Sequence, residues 1–156
     1  MSARVNQKVH FARLALDAAE LGDDIVQRAL VEAAVFHLAT AYRCYLREII
    51  AIGHHEFPAD SAEQAQRQLP AGSAFPELEE LAQLERDNEW PARLHAVYAG
   101  IVAPAAPKPP KINPSVAALG IAVADITGVP DLADCRDWLR AFQVLLQRQR
   151  EQAQEY

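Results

Sequence analysis

The chain has 156 residues, of which 51% are hydrophobic, and a formal net charge of −6 at pH 7. A chain of this size and composition can bury the core of one globular domain without a metal or disulfide bonds. The negative charge disfavours a general nucleic-acid-binding role, because non-specific affinity comes from Lys and Arg side chains that neutralise phosphates. Cys44 and Cys135 lie in apolar helical patterns and no signal-peptide pattern is present, so we expect free thiols and a cytoplasmic protein.

The N-terminal stretch 3–21 has the pattern of an amphipathic helix. Its apolar residues recur every three or four positions, and charged residues occupy the opposite side. Gly22 is typical of a helix C-terminus, and only Gly22 and Asp23 separate this helix from the next predicted one. Because the connection is so short, we expect the first two helices to form an antiparallel hairpin.

The stretch 24–52 predicts one long helix around which the other elements pack. It contains neither Gly nor Pro and is rich in Ala and Leu. As a helix it would measure roughly 43 Å at ~1.5 Å per residue. Its apolar residues cover most of the circumference, which is typical of a helix buried on several sides. A membrane span would need ~20 residues with few charges, and Glu32 and Arg43 leave too short an interval for one.

The middle of the chain, 56–90, is strongly acidic and contains the signals of several short helices. Ser61 has the position of an N-cap, with Gln64 three residues later, and predicts a helix to about residue 69. Pro76 is typical of the first turn of a helix, and Trp90-Pro91 is expected to break or kink that helix. A further short helix is marked by the apolar residues Leu94, Val97, Tyr98 and Ile101. We expect these helices to cover the second half of the long helix.

A proline-rich stretch, 104–114, predicts an extended connector, because proline is not compatible with the interior of a helix or a central strand. The residues that follow, 114–126, predict a helix, although their β-branched residues also fit a strand. Asp131 then precedes an amphipathic helix that extends to about residue 146. From Gln147 the chain has almost no apolar residues, so we expect an exposed C-terminal end, including a tail at about 150–156.

Together these patterns predict an all-α, single-domain helical bundle for residues 1–156. We expect five to seven helices around the long central helix at about 24–52.

Two tyrosines alternate with two arginines near the middle of the long helix. Arg43 and Arg47 are one turn apart and share a face, so they are candidates for binding an anion, with Tyr42 beside them. The alternative is that each arginine forms an ion pair with a carboxylate, which for Arg47 would be a residue of the acidic middle of the chain.

The histidines are further candidates for ligand or partner contacts. His37 lies in an apolar helix, where a hydrogen-bonded core histidine is the usual alternative to a ligand or a base. The run His54-His55-Glu56 follows the long helix, and exposed loop histidines are the alternative to a metal site there. The metal-binding spacings HExxH, CxxC and Glu-x-x-His are absent, so we expect no metal and no cofactor. The serine nucleophile motif and the glycine-rich phosphate loop are also absent, which disfavours the common enzyme classes.

Three stretches, VNQKVHFARLAL, ALVEAAVFHLATAYRCYLREI and WLRAFQVLLQRQR, resemble a family of small all-helical pseudomonad proteins of unknown function. More remotely, the long hairpin and the last helix resemble the HEPN superfamily of helical bundles. That resemblance implies a dimeric ribonuclease that acts through an arginine and a histidine a few positions apart. Arg4 and His10, and likewise Arg47 and His54, have this spacing, but neither pair lies in the last helix, where the superfamily has it.

These observations favour a non-catalytic interaction or scaffold protein that forms a homodimer. Ala-rich helices pack closely, and the short first helix cannot cover the long helix alone. The alternative is a HEPN-like protein that cleaves RNA or binds a nucleotide through Arg43, Arg47 and His54. We expect a protein partner and neither nucleic acid nor a membrane.

Overall fold

Six α-helices form the secondary structure of residues 3–103 and 130–154, which are the residues that a computed structural model describes. The predicted all-α fold is confirmed, and the number of helices in this part of the chain lies within the predicted range. The predicted connector at 104–114 and the predicted helix at 114–126 lie outside the described residues. The helices are α1 (Ala3–Ala19), α2 (Asp24–Ile52), α3 (Ala62–Gln68), α4 (Pro76–Arg86), α5 (Trp90–Val102) and α6 (Leu132–Gln154).

Helices α1 and α2 pack closely as the predicted antiparallel hairpin. The side-chain amide of Gln27 donates to the backbone carbonyl of Ala19 at 3.3 Å. Farther from the turn, the rings of Phe11 and His37 lie 5.4 Å apart between their centroids. Later residues of α2 therefore meet earlier residues of α1, which defines the antiparallel direction.

The two ends of α2 are fixed by local interactions. At the N-terminus, the Asp23 carboxylate accepts hydrogen bonds from the backbone amides of Ile25 and Val26, at 3.1 and 3.0 Å. At the C-terminus, a Cβ atom on Gly53 would lie 2.4 Å from the ring of Phe75. Glycine at this position allows Phe75 to pack over the end of α2.

Helix α2 is the centre of the fold, because it contacts each of the other five helices in the described part of the chain. Helix α1 contacts α2 from Gln27 to His37, and the ring of Tyr98 on α5 lies 5.9 Å from that of Phe36 on α2. No helix within 3–103 or 130–154 is long and apolar enough to cross a lipid bilayer. The buried residues of α2 lie on several sides of the helix: Val31, Ala34, Val35, Leu38, Ala39, Ala41, Tyr42, Tyr45, Leu46, Ile49 and Ile50.

The prediction of an exposed end from Gln147 is wrong at Gln149, which is only 2% exposed. Helix α6 continues past this residue, and the Gln149 side chain accepts a hydrogen bond from the hydroxyl of Tyr45. The same side chain donates to Glu80 at 2.8 Å and to the backbone carbonyl of Glu77 at 3.4 Å. A side-chain amide can be buried when both its oxygen and its nitrogen have hydrogen-bond partners. The pattern of apolar residues along the sequence does not predict the burial of such a residue. Residues 151–153 are exposed, as expected.

Candidate functional site

The five residues singled out in the sequence lie in four different places. Tyr42 lies inside the bundle, Arg43 lies beside the loop before α3, and Arg47 and His54 line a groove at the end of α2. His37 lies at the outer edge of the contact between α1 and α2. Arg43 and Arg47 thus have different neighbours among the described residues.

The carboxylate of Glu85, near the end of α4, has four polar partners among the residues described. Its side chain is 7% exposed. It accepts hydrogen bonds from the Tyr42 hydroxyl at 2.7 Å and from the backbone amides of Ala62 and Glu63 at 2.8 and 2.9 Å. His95 Nε2 lies 3.2 Å from the same carboxylate. Glu85 thus links α4 to α2, to the first turn of α3 and to α5.

The electrostatics of this cluster follow from burial and hydrogen bonding. Burial raises the pKa of Glu85, but hydrogen bonds from His95, Tyr42 and the two backbone amides outweigh this effect and lower the pKa below its usual value. Burial and the nearby Glu85 raise the pKa of Tyr42 well above its usual value. At neutral pH, Glu85 is therefore a charged acceptor and Tyr42 a neutral donor.

Aromatic rings surround the cluster. The Tyr42 ring lies 4.8 Å from the ring of His95 and 6.0 Å from that of Trp90, and Trp90 lies 5.3 Å from Phe142. Tyr42 is fully buried, and of these three polar side chains His95 is the most exposed, at 22%. A tyrosine, a carboxylate and a histidine are groups that can transfer protons. Here they bind one another, so the arrangement stabilises the junction of four helices rather than presenting a reactive group.

Arg43 forms an ion pair with a carboxylate, as the alternative has it. The carboxylate belongs to Asp60 of the acidic middle, where the sequence predicted a partner for Arg47. Arg43 Nε lies 3.0 Å from the Asp60 carboxylate. The guanidinium carbon lies 4.5 Å from the centroid of the Tyr98 ring, within cation–π distance. An anionic ligand would therefore have to compete with Asp60.

Arg47 and His54 line the same shallow groove of about 460 Å³ at the C-terminal end of α2, together with His55 and Phe57. The His54 backbone has a φ of 59° and its amide donates to the carbonyl of Ala51 at 3.0 Å. Across 3–103 and 130–154, no group of three His, Cys, Asp or Glu side chains is arranged to hold a metal ion.

His37 is half-buried between two phenylalanine rings. Its ring centroid lies 5.4 Å from that of Phe11 and 6.2 Å from that of Phe36. Its Nδ1 atom is buried and has no hydrogen-bond partner among the residues described. Burial, followed by the positive charge of Lys8, lowers the pKa of His37 below its usual value of 6.5.

Sequence reasoning missed Glu85 and His95. A signal for Glu85 was present, because it follows Leu78, Leu81 and Ala82 on the buried side of α4 at helical spacing. The surrounding acidic residues hid this signal. His95 follows the fully buried Leu94, and only the fold shows that its ring turns toward Glu85.

The fold and this junction define an all-helical protein with a long central helix and a buried, internally bonded carboxylate. A family of unknown function, DUF6586, matches residues 1–156, and the chain belongs to this family. The predicted membership of a family of unknown function is confirmed at that level, whereas the pseudomonad and HEPN resemblances stay predictions. No curated protein and no solved structure matches the chain.

Proposed function

We propose that the protein is a non-catalytic interaction protein that acts as a homodimer. The observation that supports this function is the uneven distribution of exposed hydrophobic side chains over the described residues. Six of nine belong to α1, the turn after it and the first half of α2. The nine are Phe11, Leu14, Leu21, Ile25, Val26, Phe36, Ile52, Val102 and Val144.

A concentration of such residues on one element is typical of an interaction surface, whereas scattered exposed hydrophobic residues are normal. The buried polar residues support the same function. Tyr42 and Glu85 are occupied by each other and by neighbouring helices, so they are not available to a substrate. The net charge of −6 favours a protein partner over nucleic acid. Cys44 and Cys135 are free thiols, which fits the proposed cytoplasmic location.

The test is the mass of the full chain in solution, measured by native mass spectrometry and by light scattering after size-exclusion chromatography. We expect twice the chain mass at micromolar concentration, with dissociation on dilution. A single monomer mass across the micromolar range would contradict the homodimer.

A second candidate is the HEPN-like activity, because Arg47 and His54 line one groove. An arginine and a histidine together can stabilise a phosphate and transfer a proton. The test is cleavage of a single-stranded RNA by the purified chain, with His54→Ala and the exposed His10→Ala compared in parallel. This function requires cleavage that His54→Ala abolishes and His10→Ala retains. No cleavage by the unmodified chain would exclude it.

A further inference from the structure

We infer that the two copies of the homodimer meet through the outer face of the α1–α2 hairpin. This inference rests on the proposed homodimer and assigns its contact surface. We define the hairpin face by six residues, Phe11, Leu14, Ile25, Ala29, Ala33 and Phe36.

The α2 half of the hairpin face is one stripe along the helix. Ile25, Ala29, Ala33 and Phe36 follow one another at spacings of four, four and three residues, which places them on one side of an α-helix. Ile25 is 80% exposed and Phe36 is 47% exposed. The core-facing residues of the same helix, such as Leu38, occupy other positions of the turn and are fully buried.

The α1 half joins this stripe through an aromatic contact. Phe11 and Leu14 are three residues apart on α1, and both are exposed. The Phe11 ring contacts the ring of His37, and the His37 ring contacts that of Phe36. Phe36 also lies 5.9 Å from Tyr98 of α5, which continues the aromatic surface onto a third helix.

The shape and charge of the hairpin face favour a second copy of the chain as its occupant. Phe36 follows Ala33 and Ala29 at one-turn spacing on α2, so this side of the helix carries a large ring beside small residues. A two-fold interface pairs a surface with itself and needs this kind of self-complementarity. None of the six residues is charged. One anion and one cation lie beside them, because Glu32 is three residues after Ala29 on α2 and Lys8 Nζ lies 5.7 Å from the centroid of the Phe11 ring, so two copies related by a two-fold axis can place opposite charges near each other. Small residues also allow helices to approach closely.

The available area fits a dimer contact. The exposed fractions of Phe11, Leu14, Ile25 and Phe36 correspond to on the order of 400 Å² per copy. The neighbouring Leu21 and Val26 raise this to on the order of 600 Å², compared with the ~800 Å² per partner of a stable interface. Two hairpins packed through these faces would form a four-helix arrangement, a common way to bury two apolar helix pairs.

The test compares dimer dissociation constants of the full chain by analytical ultracentrifugation. Phe36→Glu places a charge in the hairpin face, and Ala29→Arg places a long side chain at an exposed alanine that the isolated chain tolerates. Two control variants alter α6 in the same ways, Val144→Glu at a residue that is 62% exposed and Ala133→Arg at an exposed alanine. We expect both hairpin-face variants to raise the dissociation constant by ~30-fold or more, as for substitutions at the centre of an interface. We expect both controls to dimerise like the unmodified chain.

Circular dichroism of each variant tests whether it is folded. If Phe36→Glu unfolds, the dissociation constant of Ala29→Arg tests whether the hairpin face is the dimer contact. A dimer that neither hairpin-face variant weakens would overturn this inference and leave the homodimer standing. A dimer that the α6 variants weaken equally would also overturn it. A monomeric unmodified chain would remove the homodimer and its contact surface together.

Discussion

The junction around Glu85 buries a side chain of the central helix α2, whereas the hairpin face exposes side chains of the same helix. At the junction, α2 contributes Tyr42, which is fully buried and bonded to the charged carboxylate. On the hairpin face, the same helix exposes Ile25 and Phe36. The polar groups of the junction thus have hydrogen-bond partners inside the chain, while Ile25 and Phe36 on the hairpin face are exposed.

The two regions should contribute to different free energies, the junction to folding of one chain and the hairpin face to association of two. A charge buried with four donors is expensive to disturb, because the donors lose their acceptor and are already removed from water. An exposed apolar residue contributes little to the fold of one chain and gains energy only when a partner covers it. Changes at the junction should therefore affect unfolding, and changes on the hairpin face should affect dimerisation.

The largest expected effect on stability is that of Glu85→Ala. It leaves the Tyr42 hydroxyl and the amides of Ala62 and Glu63 without their acceptor. We expect the free energy of unfolding to fall by about 3 kcal/mol. Urea unfolding followed by circular dichroism measures the change. Glu89→Ala is the control, since Glu89 is an exposed acidic residue in the next turn of chain. Equal stability of both variants would contradict a structural role for Glu85.

A smaller loss of stability is expected for Tyr42→Phe. This variant keeps the ring and its contacts with Trp90 and His95 but removes one donor to Glu85. We expect a loss of about 1.5 kcal/mol, typical of one hydrogen bond to a charged group. Tyr98→Phe is the matched control, because it removes a hydroxyl from a half-buried tyrosine outside the junction, whose ring stacks against Arg43. A Tyr42→Phe variant as stable as the control would show that the hydroxyl contributes nothing.

The local elements could be predicted because their signals lie within a few residues of one another. Helix α2 has the predicted bounds, Asp24–Ile52, because Asp23 caps it and Gly53 ends it. Ser61 likewise caps α3 as its spacing indicates, by accepting from the Gln64 amide at 3.1 Å. In each case the residues that decide the structure are neighbours along the chain.

The polar contacts could not be predicted, because their partners are distant along the chain. Tyr42 and Glu85 are 43 residues apart, and Tyr45 and Gln149 are 104 residues apart. A glutamate in an acidic run and a glutamine in a polar end both have the composition of exposed residues. Their burial depends on tertiary partners that complete their hydrogen bonds. For the same reason, the sequence left open whether Arg43 bound an anion or a carboxylate, and the structure supplies Asp60.

The smallest expected effect is a pH dependence of dimerisation that arises from His37. Burial, followed by Lys8, lowers the pKa of His37 in the fold below 6.5, so the folded chain favours the neutral ring. Its contribution to stability is present above pH 6.5 and is lost as the pH falls through the lowered pKa. A second copy on the hairpin face would bury the ring further, because His37 lies between Phe11 and Phe36. We therefore expect the dimer dissociation constant to rise several-fold between pH 7.5 and pH 5.5. Analytical ultracentrifugation at both pH values measures this rise in the dissociation constant.

Two variants are the controls for this prediction. His37→Gln should show a smaller rise in the dissociation constant, and His10→Gln, at an exposed position of α1, should show the same rise as the unmodified chain. An equal rise in His37→Gln and the unmodified chain would assign the pH dependence to other groups.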